Sequence, residues 1–279
     1  MPSNQTLEQA VNWITKADAL LITAGAGMGV DSGLPDFRGD QGFWRTYPAL
    51  SAQAFTYLDI ATPDVFDSMP EIAWGFYGHR LNLYRNTPPH AGFARLLEIG
   101  ARMKHGYFVY TSNVDGHFAK AGFDTERIVE CHGSIHYMQC QYVSCLDEGI
   151  WSAESFTPQL DKHNCHVTSA LPLCPSCEEV CRPNIMMFSD FTGWNDERQS
   201  KQLGRYQRWL AQAENLVVIE CGAGTNVNTI RKLGESLDAP LIRINTNEAF
   251  SKKSNAVCIE LPALQAIEAI YQRLQTTCR

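Results

Sequence analysis

Residues 20–39 read LLITAGAGMGVDSGLPDFRG. An apolar run, continuous with Ala19, passes directly into Gly25-Ala26-Gly27-Met28-Gly29. Near-continuous apolar runs of this length fit a strand buried on both faces, as in a parallel sheet covered by helices. Glycines at such a strand end let the backbone turn tightly and approach a phosphate, with a helix N-terminus expected just behind. Tight turns also use glycine for steric reasons alone, so the loop by itself leaves nucleotide binding open. Asp36, Phe37 and Arg38 follow it and suit a loop that closes over a ligand.

Similar runs recur outward from this strand: YFVYT (107–111), LVVIE (216–220), LIRIN (241–245), AVCIEL (256–261) and the weaker RIVE (127–130). Helix-compatible segments separate most of them, including HAGFARLLEIGAR and ALQAIEAIYQRLQ, and residues 6–17 carry apolar positions at helical spacing. The expected fold is α/β, a Rossmann-like doubly wound parallel sheet. Residues 42–89, rich in aromatics and prolines, and 134–185, with six of the ten cysteines, break the rhythm. The predicted organisation is a nucleotide-type domain of residues 1–41, 90–133 and 186–279. A small helical and zinc-binding domain of 42–89 and 134–185 interrupts it, with a ligand cleft between the two.

The chain has 279 residues and a formal net charge of -7 without a long basic run, which argues against nucleic-acid binding. No apolar run reaches the roughly 18 residues of a membrane span, and the start lacks the pattern of an export signal. A cytoplasmic location is therefore expected, where ten cysteines serve metal ligation or burial rather than disulfides. The stretch ECHGSIHYMQC (130–140) sharpens that question, because it combines two cysteines with two histidines.

Several motifs together resemble the sirtuins, the NAD-dependent protein deacylases. GAGMGVDSGLPDFRG is similar to that family's opening signature, and TSNVDGHFAKAG (111–122) to its Thr-Gln-Asn-Ile-Asp segment. CHGS resembles its histidine motif, CRPNIMMF its Arg-Pro stretch, and GAGTN with RIN its late NAD contacts. All occur in family order. The resemblance implies that NAD is a co-substrate held by Gly25, Ala26, Gly27, Asp36, Phe37, Arg38, Ser112, Asn113, Asp115, Gly224, Thr225, Asn226 and Asn245. It makes His132 the catalytic base, with Asn113 orienting the ribose and the leaving amide and Asp115 supporting the loop. Phe37 would shield the sugar cation from water, and Arg38 would steady the loop or the pyrophosphate. A neutral imidazole suits proton removal from a ribose hydroxyl near neutral pH. The partner implied is an acylated lysine in a protein or peptide.

Cys140 and Cys145 form one close pair, and Cys174 and Cys177 a second, CPSC. Two such pairs can offer four thiolates to one tetrahedral structural zinc. A loop of 28 residues separates them. It holds His163, Cys165 and His166, and Cys181 follows, so any of these could replace a named ligand. The helical stretch AWGFYGHRLNLYR (73–85) sits where sirtuins place the acyl pocket. Tyr77 and Arg80 share one helical face there, a spacing that resembles the subgroup removing succinyl and malonyl groups. A guanidinium can grip a terminal carboxylate with two hydrogen bonds, although an Arg on a surface helix can also simply snorkel.

Four positions depart from the family pattern: Gly29 and Ser112, Asn226, and FSDFTGW (188–194) in place of the segment that pairs with substrate peptide. TSNVDGHFAKAGFDTER and GFWRTY also resemble a microbial ADP-ribosylating branch, which usually lacks the His-Gly-Ser signature kept here. The alternatives are thus a mono-ADP-ribosyltransferase or NAD glycohydrolase, and a non-catalytic NAD-sensing module.

Overall fold

The computed structural model describes residues 3–35, 39–142, 144–145, 149–161, 163–190 and 193–277. Its strands in chain order are β1 (Ala19–Ala24), β2 (Tyr107–Thr111), β3 (Ile128–Glu130), β4 (Gly133–Cys140), β5 (Ile150–Ser152), β6 (Leu160–Asp161), β7 (His166–Val167), β8 (Cys181–Ile185), β9 (Leu216–Cys221), β10 (Leu241–Ile244) and β11 (Ala256–Ile259).

The apolar runs of the sequence become one six-stranded sheet in the order β11-β10-β9-β1-β2-β3. Every pairing in it is parallel. This is the doubly wound order, with its switch point where β1 lies beside β9. All six residues of β1 are buried, because helices cover both faces. One face packs Leu20, Ile22 and Val109 against the helices Asn4–Lys16, Ala91–Ala101 and Ala263–Thr277. The other packs Leu21, Phe108 and Val218 against Tyr206 and Trp209 of helix Glu197–Leu210. That helix also protects the sheet edge, since the Gln202 side chain accepts the free backbone N–H of Glu130 on β3 at 3.1 Å.

The two stretches that break the strand rhythm build a separate hydrophobic cluster. Phe43, Phe66, Trp74 and Phe76 come from the first, and Ile135, Met138, Cys165 and Val167 from the second. Leu34, Val114 and Met187 from outside those stretches also pack into it. Its scaffold is helix Pro70–Asn86, braced by the antiparallel sheet β5-β4-β8 and the hairpin β6-β7. Among the described residues, no helix is long and apolar enough to cross a membrane.

The glycine turn differs from the sequence expectation in one respect. β1 is followed by a 3-10 helix, Ala26–Ser32, closed by Gly33 at φ +88°, rather than directly by an α-helix. Backbone crowding accounts for this. A Cβ on Gly25 would lie 2.8 Å from the carbonyl oxygen of Gly222, and one on Gly222 would lie 2.3 Å from Gly27 C and Met28 N. The two loops at the switch point thus press backbone against backbone, which only glycines permit.

Candidate active site

Five segments leave the carboxyl ends of neighbouring parallel strands, where ligands of such sheets bind: the Gly25 loop after β1, Ser112–Asp115 after β2, His132 after β3, Gly222–Asn226 after β9 and Asn245 after β10. Hydrogen bonds join them. Ser112 N and the Thr111 hydroxyl both donate to the Ala24 carbonyl, at 3.1 and 3.0 Å. The Thr111 hydroxyl also accepts Asn113 N at 3.0 Å, and the Asn113 amide donates to the Gly25 carbonyl at 3.0 Å. Asn113 is therefore a buried clamp between the first two loops. On the other side of the switch point, Gly27 N donates to the Gly222 carbonyl at 3.0 Å. The Asn245 side chain donates to Ala223 O at 2.9 Å and accepts the backbone of Asn247 and Glu248 at 3.2 Å.

Asp115 is buried, and that burial raises its carboxyl above the usual range, against a hydrogen bond from His117 N at 2.9 Å. His136 holds the same segment through its ring Nε2, 2.9 Å from Asp115 O. Both histidines support the loop, and sequence reasoning gave His136 no chemical role. Gly224 is half-buried, while Thr225 and Asn226 are exposed. Asp36, Phe37 and Arg38 lie outside the described residues.

His132 follows β3, half-buried, with its Nε2 3.5 Å from the Thr229 hydroxyl. Burial lowers its pKa below the usual value near 6.5, so the ring is neutral at neutral pH and able to accept a proton. Thr229 opens the helix Thr229–Ser236 and brings the β9 side of the sheet to the histidine. Neither it nor Glu248 was found from the sequence. The Glu248 carboxylate accepts both N–H and O–H of Thr225, at 3.0 and 2.6 Å. Arg231 ties the same loop by its carbonyls, Glu248 O at 2.7 Å and Phe250 O at 2.8 Å. The only early signal for these contacts was the RIN motif nearby.

Tyr77 and Arg80 lie on helix Pro70–Asn86 inside the second cluster and are buried. The snorkelling alternative is thereby corrected: the guanidinium does not reach solvent but lies over the rings of Phe76, Tyr77 and Tyr84, at 5.3, 5.8 and 5.5 Å. It is near enough to the Asp115 loop to oppose electrostatically the rise in that carboxyl's pKa. The back of the helix is equally specific. A Cβ on Gly75 would lie 1.9 Å from Cys165 O, and one on Gly78 would lie 2.9 Å from Pro158. Asn82 donates to Pro158 O at 2.9 Å, and Arg85 to Phe156 O and Ala153 O at 2.6 Å. The loop between the cysteine pairs thus docks along one whole side of the helix.

The four sulfurs of Cys140, Cys145, Cys174 and Cys177 all lie within 4.8 Å of one another. Cys140 and Cys177 are 3.6 Å apart, Cys145 and Cys174 3.7 Å. A tetrahedral zinc with sulfurs at about 2.3 Å needs S–S edges of roughly 3.8 Å, so the donor set fits that ion. Burial pushes the Cys140 thiol pKa up to about 11, against the Tyr142 backbone amide, which approaches its Sγ at 3.4 Å. Around Cys174, burial opposes ionisation, but the amides of Cys177 and Ser176 carry its thiol below the usual value. Four sulfurs leave no open position, so such a zinc is structural. Of the suggested substitutes, Cys165 is buried against Gly75, and the Cys181 thiol rests 3.6 Å from the Met138 sulfur. Among the described residues no other group of three or more potential ligands comes together. None of the nine described cysteines is in a disulfide.

The FSDFTGW departure has a local explanation in part. Asp190 makes a buried ion pair with Arg182, at 2.7 and 3.0 Å, which fastens this segment to β8. Phe188 N donates to Ala61 O at 2.9 Å, and Met186 N to His132 O at 3.0 Å. Residues 191–192 lie outside the described residues.

The comparison with protein families decides the ancestry of this arrangement. Residues 25–228 match the model of the Sir2 family. The chain belongs to the Sir2 family. Among relatives of this Sir2 chain, an NAD-dependent protein deacylase of Leptospira interrogans (serogroup Icterohaemorrhagiae serovar Lai) is 31% identical over 240 residues, covering 86% of each protein. One from Thermus thermophilus is 27% identical over 250 residues, covering 86% of this chain and 84% of the relative. A solved Sir2 homolog in complex with NAD superposes with a TM-score of 0.72 at 22% identity, over 98% of this chain and 95% of that one. At that identity the likeness speaks for the fold of this Sir2 chain alone.

Proposed function

We propose that this protein is an NAD-dependent protein-lysine deacylase with a preference for acidic acyl groups such as succinyl and malonyl. The observation that carries the reading is that relatives named NAD-dependent protein deacylase match over 86% of the chain. The site geometry supports it. The glycine loop, Asn113 and Asn245 meet at the carboxyl ends of the sheet, beside a neutral histidine.

In this chemistry the amide oxygen of the acyl-lysine attacks the anomeric ribose carbon of NAD, and the bond to nicotinamide breaks. His132 takes the proton of a ribose hydroxyl, whose oxygen then attacks the former amide carbon. Water supplies the remaining oxygen, and nicotinamide, free lysine and O-acyl-ADP-ribose leave. Asn113 orients the ribose and the leaving amide, while Asp115 holds the loop. The residues expected to bind NAD are those named from the motifs, with Thr229 added as a partner of His132. Cys140, Cys145, Cys174 and Cys177 would hold a zinc that fixes the small unit and takes no part in the reaction. We also read 42–89 and 134–185 as one small domain, a division supported by their shared hydrophobic cluster.

The histidine assignment carries a pH dependence. Because the folded-state pKa of His132 is lowered, its basic form persists below the usual titration range. Activity is lost only as pH falls through that lowered value. The acid limb of kcat/KM is therefore expected below pH 6.5. An acid limb at or above that value would assign the titration to another group.

The acidic-acyl preference is supported by the buried Arg80 on the aromatic helix. A charge-assisted hydrogen-bond pair to a carboxylate is worth enough that Arg80→Met should lower kcat/KM for succinyl-lysine peptide about 10- to 100-fold more than for acetyl-lysine peptide. Equal losses on both would reduce Arg80 to a support of its helix. The test of the whole reading is mass spectrometry of the protein with NAD and acetyl, succinyl or unmodified lysine peptides. Acyl loss matched by nicotinamide release is expected. Nicotinamide without acyl loss would indicate ADP-ribose transfer or NAD hydrolysis, and no nicotinamide would indicate a binding module.

A further inference from the structure

The face of helix Pro70–Asn86 that bears Tyr77 and Arg80 holds a third residue that the Tyr-x-x-Arg spacing does not include. Tyr84 follows Arg80 by one helical turn and is buried. Its hydroxyl oxygen accepts from Nε of Arg80 at 3.0 Å and from Nη2 at 2.9 Å. Those two nitrogens define the side-on edge of the guanidinium, one of the edges by which arginine makes a bidentate contact. We propose that Tyr84 is a positioning residue for acyl selectivity, fixing the Arg80 guanidinium by its side-on edge so that the end-on edge meets the carboxylate of an acidic acyl chain.

The argument rests on the acidic-acyl reading above and on three physical points. An arginine side chain has many rotamers, and holding it in place before substrate arrives removes an ordering cost from binding. The phenol can hold it without neutralising it. Burial raises the Tyr84 pKa above its ordinary value, even against the nearby Arg80 cation, so the oxygen stays an uncharged acceptor. A carboxylate in its place would instead compete with the substrate for the charge. Tyr84 is itself fixed, packed with its ring 5.5 Å from the Arg80 guanidinium carbon. Its backbone carbonyl accepts from Lys120 at 3.4 Å, and Arg85 O and Thr87 O accept from the same ammonium at 2.7 and 2.8 Å. The helix end that bears the tyrosine is thereby bound to the segment following the Asp115 loop.

Tyr84→Phe removes only the hydroxyl, and the test compares succinyl- and acetyl-lysine peptides with the full-length, metal-loaded protein at saturating NAD. For the succinyl peptide KM is expected to rise about 5- to 20-fold, the effect of losing one hydrogen bond to a charged group, with a much smaller change in kcat. The succinyl-to-acetyl ratio of kcat/KM falls accordingly. That ratio is read within one preparation, so a partly folded sample leaves it interpretable. The same substitution in the Arg80→Met background should leave the ratio where Arg80→Met alone puts it, because a residue acting through Arg80 has nothing left to position. Independent losses in the two backgrounds, or a ratio unchanged by Tyr84→Phe, would overturn the proposal. Parent protein with no preference for the succinyl peptide would instead overturn the acidic-acyl reading.

Discussion

Alanine in place of His132 is expected to lower acyl removal by about 10²- to 10⁴-fold, the usual contribution of a positioned general base. Metal content and thermal midpoint should stay near those of the parent. The ring is half-buried, and its side-chain neighbour is the Thr229 hydroxyl at 3.5 Å, so truncation removes little that holds the fold. The backbone at this position matters more to the structure, since His132 O accepts Met186 N at 3.0 Å, and alanine keeps that bond. In the proposed chemistry the base acts after nicotinamide has left, so exchange of labelled nicotinamide into NAD should survive better than acyl removal. Peptide mass and label exchange, followed together, separate the two steps. Acyl removal at the parent rate would refute the base assignment, and equal loss of both activities would place His132 in NAD binding instead.

The second large effect concerns the cysteines. Cys174→Ser is expected to reduce bound zinc from about one ion per chain to well below half, because serine offers no thiolate to a four-sulfur site. Cys174 is 1% exposed and lies 3.7 Å from Cys145 across the cluster, so solvent cannot easily supply a replacement at that corner. Solubility should fall with the metal, since the loop between the pairs covers apolar surface of Trp74, whose ring meets Phe156 of that loop at 4.9 Å. Metal analysis together with circular dichroism checks this. An unchanged zinc content would mean that Cys165 or Cys181 enters the ligand set, which would require either to leave its buried seat.

The parallel sheet was legible from residues 19–24, 107–111, 216–220, 241–245 and 256–261 because buried strands need uninterrupted apolar runs. The weak run at 127–130 was legible for a different reason: it sits at the sheet edge, where the strand is three residues long and a helix supplies its outer partner. The four-cysteine cluster was readable from two close pairs, each able to turn on its own amides. The 3-10 turn after β1 was not readable, because it depends on contact with Gly222, which lies roughly 200 residues away in the chain. Thr229 and Glu248 were missed on similar grounds, since each meets a partner that only the folded chain brings near. Tyr84 differs: it lies one helical turn from Arg80, within reach of helical spacing, but a tyrosine there gives no sign of which side chain its hydroxyl meets. Arg80 was visible as a residue, but its burial was not, since the helix bearing it is apolar on nearly every side.

The two glycines on the back of helix Pro70–Asn86 make the helix and the loop it receives a matched pair, like a key cut for one lock. Any side chain at Gly75 would strike the Cys165 carbonyl, and Gly78 leaves space that Pro158 fills. For engineering, the helix and the loop packed on it are therefore a cassette of two pieces far apart in sequence. Transplanting the helix alone from a relative with a larger residue at position 75 would displace the loop held between the two cysteine pairs. Moving residues 70–86 and 153–167 together would carry the helix and its buttress intact.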